Sequence, residues 1–181
     1  MTVWPRFRRD LRRLQQVKDR PLLPTLLDGL FLDNGFQALA LYRMSHFFQS
    51  YRVPLAPAIL RRLGNILCGV DLAPRARIGG GCVLVHALGI VMGSDTRIGE
   101  DCTILHGVTL GEARFEELAC PRVGSRVTLG AGATLLGGIE VGDDATVAAG
   151  AVVLEDVPAG AVAAGVPARI VERSPAPPSP V

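Results

Sequence analysis

The chain is short of aromatic residues: one tryptophan, two tyrosines and six phenylalanines make up 5% of its 181 positions. Recognition of single-stranded nucleic acid relies on aromatic side chains as stacking platforms, so that class of function is disfavoured. Long apolar runs are missing too. The hydrophobic segments are interrupted by Gly, Arg or Asp, and none approaches the ~20 residues that cross a bilayer. The N-terminus lacks the apolar core of a signal peptide, which makes the cytoplasm the expected location. Four cysteines (Cys68, Cys82, Cys102 and Cys120) stand at no metal-like spacing, and a reducing compartment keeps such residues as thiols. Lysine is almost absent, since 18 of the 19 cations are arginine, yet a formal net charge of +2 does not by itself indicate a nucleic-acid partner.

What the chain has is aliphatic surface, with 49% hydrophobic residues and a mean hydropathy of +0.33, enough to bury a substantial core in one or two domains. From Leu72 an aliphatic residue returns at every sixth position: Leu72, Ile78, Leu84, Ile90, then Ile98, Ile104, Leu110, then Val123, Leu129, Leu135, Val141, Val147 and Val153. The series breaks twice, by two residues between Ile90 and Ile98 and by a longer insertion after Leu110. A period of six fits neither a helix nor an alternating strand. With a small residue after many of the aliphatics, it predicts a parallel β-helix in which three hexads close one triangular coil. The expected class is therefore mainly β, with aliphatics filling the prism over residues 68–171.

Coils stack roughly 4.8 Å apart, so residues three hexads apart lie one above the other. That spacing predicts that His86 stacks on His106 and Cys82 on Cys102. Residues 112–122 interrupt the register and are expected to loop outward at a corner, where binding residues collect. Residues 1–67 read as helical instead. A basic amphipathic helix carries Arg6, Arg8, Arg9, Arg12 and Arg13, and two further helices flank the turn at Asp33-Asn34-Gly35. Its basic face reads first as a solvated surface and second as a contact for membrane or nucleic acid. His46 falls at helical spacing and reads as structural. The Pro-rich segment 172–181 is expected to be disordered.

An outward imidazole on a rigid coil can take a proton from a hydroxyl when a carboxylate orients it, and His86 with Asp71 is the candidate pair. Cys120 is a weaker nucleophile candidate, because nothing near it in sequence would depress its pKa.

The segments Asp71-Leu-Ala-Pro-Arg-Ala-Arg-Ile-Gly, Val85-His86-Ala-Leu-Gly-Ile-Val-Met-Gly, Ile104-Leu-His-Gly-Val-Thr-Leu-Gly111 and Ala164-Gly-Val-Pro-Ala-Arg169-Ile-Val resemble bacterial serine O-acetyltransferase, of the hexapeptide-repeat acyltransferases. The likeness runs from about residue 20 to 173. It implies a left-handed β-helix, a homotrimer with active sites between prisms, and acetyl-coenzyme A as donor, without a metal. His86 falls at the general-base position and Asp71 at that of its partner. The pantetheine arm would lie along Gly111, Gly130, Ala131 and Ala149, near His106, with Arg169 towards the phosphates. The acceptor contacts differ. Val85 stands where the family has Asp, Leu118-Ala119-Cys120-Pro121 replaces its Asp-Arg-His-Pro, and Arg20-Pro21 replaces an Asp-Pro pair.

A zwitterion needs charged partners in a desolvated site, so these changes predict an acceptor other than L-serine, such as a sugar hydroxyl. Val85, Arg114, Cys120 and Arg122 are then the candidate acceptor contacts. Genuine serine acetylation and a non-catalytic β-helix scaffold stand as the alternatives. A γ-class carbonic anhydrase shares the prism but needs three zinc-binding histidines. The chain also ends without the Ile-terminated tail by which some members dock their sulfhydrylase partner.

Overall fold

The structure is a computed structural model, and it describes residues 3–19, 21–114 and 119–171. The expected tail 172–181 and residues 115–118 of the excursion lie outside the described residues. Among the described residues four helices lead the chain: α1 (Val3–Lys18), α2 (Leu22–Phe31), α3 (Asn34–Ser50) and α4 (Ala56–Cys68). Asp33 caps α3 by accepting from the Phe36 N–H at 2.9 Å, which satisfies one of the donors a helix start leaves open. Gly69, in the left-handed conformation at φ 66°, ends α4 and turns the chain into the prism.

Among the described residues fifteen short strands, numbered in chain order, wind into three sheets. The first sheet stacks β1 (Asp71–Leu72), β4 (Val91–Met92), β7 (Thr109–Gly111), β10 (Thr134–Leu136) and β13 (Val152–Val153). The second stacks β2 (Arg77–Ile78), β5 (Arg97–Ile98), β8 (Arg122–Val123) and β11 (Glu140–Val141). The third stacks β3 (Val83–Val85), β6 (Thr103–Leu105), β9 (Thr128–Leu129), β12 (Thr146–Val147), β14 (Val162–Gly165) and, antiparallel at its edge, β15 (Ala168–Val171). The protein is thus mainly β, a parallel β-helix entered through four helices. Because each coil visits the three sheets once, the inward aliphatics form vertical columns such as Leu84, Ile104, Leu129, Val147 and Ala163, all buried.

One element of the expected register is corrected. The pairings are Leu72 with Met92 and Ile78 with Ile98, so the hexad frame resumes at Met92 and not at Ile90. Ile90 belongs to a second inner column, with its carbonyl accepting from the Asp71 N–H while the Val91 N–H donates to Val108. The two-residue insertion therefore lies earlier. Five residues separate Val85 from Val91, where three separate Leu105 from Thr109 in the coil below. Gly107 N–H donates to the Leu88 carbonyl and Gly132 N–H to that of His106, which puts Leu88 above His106. His86 and Ala87 are the extra pair. Cys82 does stand over Cys102, as the Val83–Thr103 register requires.

The helices are tied to the prism by a buried ion pair. Asp10 of α1 and Arg43 of α3 meet at 3.0 and 3.2 Å, with side-chain exposures of 1% and 2%. Arg43 also donates to the carbonyls of Ile78 and Gly79, and Asp10 accepts from the N–H groups of Gly81 and Cys82. Every charged atom is thus hydrogen-bonded, the condition under which burying two ions is tolerated.

Candidate active site

His86 stands at the corner where the third sheet passes to the first, exposed, with its backbone at φ 52°. A left-handed conformation is costly for a residue with a Cβ, and such strain collects where function demands a particular side-chain direction. It arises here because two extra residues must fit between Val85 and Leu88. The turn closes through a hydrogen bond from Leu88 N–H to the His86 carbonyl at 2.6 Å. Ala87 is buried behind it.

The bulge is held from the helical side. The Asn34 side-chain amide donates one N–H to the Ala87 carbonyl at 2.9 Å and the other to the Cys68 carbonyl at 3.1 Å. Next to it, Gly35 lies so close to β3 that a Cβ there would overlap the Leu84 carbonyl oxygen. The sequence pattern marked both residues only as part of a turn, whereas they open α3 and support the bulge.

Asp71 does not hydrogen-bond His86. Its carboxylate takes a two-pronged bond from Arg61 of α4, Nε to Oδ1 at 2.5 Å and Nη2 to Oδ2 at 2.8 Å. The Arg61 guanidinium holds the Asp71 carboxyl below the usual carboxylate range, so it stays ionised. Arg61 and Asp71 both line a cleft of about 620 Å³ beside α4, with Arg52, Arg62 and Asn65. A carboxylate offers about four lone-pair sites and Arg61 occupies two, which leaves acceptor capacity for another N–H.

Below the bulge, the expected coenzyme residues separate by what their backbones do. Ala131 and Ala149 stand one coil apart under His106, and neither N–H donates to a described residue. The Gly130 N–H is committed to the Val147 carbonyl at 2.8 Å, so it is not free to bind a ligand. Its lack of a side chain answers to packing, because a Cβ would stand 2.5 Å from the Ala149 nitrogen. Gly111 ends β7 with open space where a Cβ would be. Arg169 is exposed on β15, at the far end of the stack.

The expected acceptor contacts do not converge. Val85 is partly buried at the end of β3. Arg114 is exposed on the excursion, which runs over residues 112–121 and not 112–122. Arg122 belongs to β8 of the second sheet, the face opposite the His86 corner, where it pairs with Glu140 at 3.5 Å. Cys120 is buried with its Sγ against Gly93, unsuited to contact a substrate. Burial pushes the Cys82 and Cys102 thiols up, Cys102 to about 11, which leaves them inert. Among the described residues no group of three His, Cys, Asp or Glu side chains could hold a metal ion.

A family model described as the hexapeptide repeat of succinyl-transferase matches residues 122–155. The serine acetyltransferase of Helicobacter pylori strain J99 is 41% identical over 158 residues, covering 87% of this chain and 92% of that protein. The chain belongs to the serine acetyltransferase family. The Synechococcus elongatus serine acetyltransferase is 38% identical over 149 residues, and the matched part is 82% of this chain but 61% of that longer relative. Serine acetyltransferases are also among the structural neighbours. The Neisseria gonorrhoeae enzyme in complex with serine superposes with a TM-score of 0.84 at 35% identity, covering 94% of this chain and 69% of that one. A serine acetyltransferase in complex with CoA gives a TM-score of 0.84 at 37% identity, covering 93% and 70%. No described helix is long and apolar enough to cross a membrane.

Proposed function

We propose that the chain is an acetyl-coenzyme A-dependent O-acetyltransferase that acetylates the hydroxyl of L-serine, with His86 as general base. The observation that carries this reading is the left-handed, exposed His86 in its two-residue bulge. His86 removes the hydroxyl proton as the oxygen attacks the thioester carbonyl. The C–O bond forms, the tetrahedral oxyanion collapses, the C–S bond breaks, and the coenzyme thiolate takes the proton back from His86. The Ala131 and Ala149 amides, which donate to no described residue, are assigned to the pantetheine arm, and Arg169 to the nucleotide phosphates. Asp71, already oriented by Arg61, is assigned the role of holding the imidazole. Much of the rate is expected from placing both reactants in one cleft.

The changed acceptor expected from the sequence gains no support from the comparisons, which favour serine: the curated relatives reported above carry that substrate in their names, and one solved neighbour holds it. Release of coenzyme A thiol, followed with L-serine and with a panel of sugars and simple alcohols, tests the assignment. Turnover confined to L-serine is expected. Turnover of a sugar with none on serine would overturn it and restore the changed acceptor.

The same reading includes a homotrimer that completes the site. Exposed apolar side chains flank the His86 corner, with Ile59, Leu63, Ile66 and Leu67 on α4 and Leu88 and Val91 on the coil. Leu88 adjoins the end of α4, since a Cβ at Gly69 would stand 3.2 Å from Leu88 Cδ2. A surface of that kind calls for a partner, and Leu88→Asp should reduce the assembly to monomers in sedimentation if the trimer forms there.

A further inference from the structure

The basic face of α1 has no part in the chemistry above. Together with the third sheet it forms a cleft of about 870 Å³, with Arg8, Arg12 and Arg13 on one wall and Thr103, Thr128 and Arg126 on the other. Two arginines at this cleft are already neutralised. Arg9 meets Glu100 at 2.7 Å and Asp101 at 2.5 Å, and Arg126 meets Asp144 at 2.7 Å and Asp143 at 3.4 Å. Arg8, Arg12 and Arg13 have no carboxylate partner among the described residues. The Nε of Arg13 is buried with no acceptor among the described residues.

Both features are unfavourable in the chain by itself. A buried donor without an acceptor is costly, and like charges four residues apart on a helix, as Arg8 and Arg12 are, repel. An occupant that relieves both penalties must carry several negative charges and several acceptor oxygens. Phosphate groups meet that need, because the guanidinium fork matches their oxygens two at a time. The stacked hydroxyls of Thr103 and Thr128, one coil apart in the third sheet, supply neutral donors from the opposite wall. No aromatic side chain lines the cleft, so nothing in it would stack a nucleic-acid base.

We infer that the cleft between α1 and the third sheet binds the phosphate groups of a ligand carrying at least a diphosphate. The inference stands whether or not His86 acts as a base. Two sources share this chemistry, the phosphates of coenzyme A and a separate polyphosphorylated effector.

Titration calorimetry of the full chain with inorganic tripolyphosphate tests it. Saturable binding is expected, weakening as salt is raised and falling about tenfold or more in Arg12→Ser/Arg13→Ser, since each charge-assisted bond is among the stronger kinds. Thr128→Val, which keeps the shape of the opposite wall, should weaken binding several-fold even if the arginine substitutions disturb the fold. Repeating the titration with coenzyme A at saturation separates the sources: displacement assigns the site to the coenzyme's own phosphates, and simultaneous binding assigns it to an effector. Absence of saturable binding, or binding unchanged in both variants, overturns the inference.

Discussion

Asn34 and Ala87 lie 53 positions apart in sequence and are joined at 2.9 Å, the side-chain amide of one donating to the backbone carbonyl of the other. Because the same amide also reaches Cys68, a helix start, a helix end and the His86 bulge meet at one side chain. Asn34→Leu keeps the volume but leaves two buried carbonyls without donors, a penalty of about 1–3 kcal/mol each. A misplacement of the base by ~1 Å can cost about 10²-fold in rate. The expected result is a fall in kcat with little change in the KM for acetyl-coenzyme A, and a lower melting temperature. Asn34→Asp should be worse than Leu, because it sets a carboxylate oxygen against two carbonyls.

The Asp10–Arg43 pair makes a stability prediction. Removing one partner strands the other ion inside the protein, and Arg43→Met alone should cost about 3–5 kcal/mol in urea unfolding. Asp10→Leu combined with Arg43→Met should recover part of that loss, since the double variant buries no charge. A double variant weaker than either single one would contradict the pair as described.

His46 predicts a pH dependence. Its Nδ1 lies 2.9 Å from the Pro74 carbonyl, its ring stacks on Tyr42, and burial lowers its pKa below the ordinary 6.5. The folded chain therefore refuses a proton that the unfolded chain accepts. Stability from this residue is complete above about pH 6.5 and falls as the pH drops from there towards the folded value. Chemical denaturation at about pH 7.5 and pH 5.5 should show the loss, and His46→Asn should flatten it.

The role assigned to Asp71 can be separated from its ion pair. Asp71→Asn removes the charge that would stabilise an imidazolium and should lower kcat about 10-fold or more, whereas Arg61→Gln leaves the carboxylate in place and should lower it less. Equal losses in the two variants would show that the pair acts only as a strut between α4 and β1.

Periodicity revealed the prism because a column of buried aliphatics needs nothing but spacing to be seen. The position of the two-residue insertion was not legible for the same reason. Ile90 and Met92 are both apolar and both buried, one in each inner column, so hydrophobicity alone permits either frame. Only the ladder, which pairs Met92 with Leu72, decides between them, and it moves the insertion to His86. Polar contacts were the other blind spot. Asn34 reads as a turn residue and Arg43 and Arg61 as ordinary helix-surface residues in sequence, and their partners become apparent only when helices fold onto coils. Cys120 and Arg122 were grouped with the excursion by proximity in sequence, although one faces the interior and the other belongs to a strand.

The central claim is that the strained, exposed imidazole at the prism corner moves the proton in acetyl transfer. Coenzyme A thiol release with L-serine, compared between the unaltered chain and His86→Ala, tests it most directly. A loss of about 10²–10⁴ in kcat with the melting temperature preserved is the predicted result; undiminished turnover in the folded variant would contradict it.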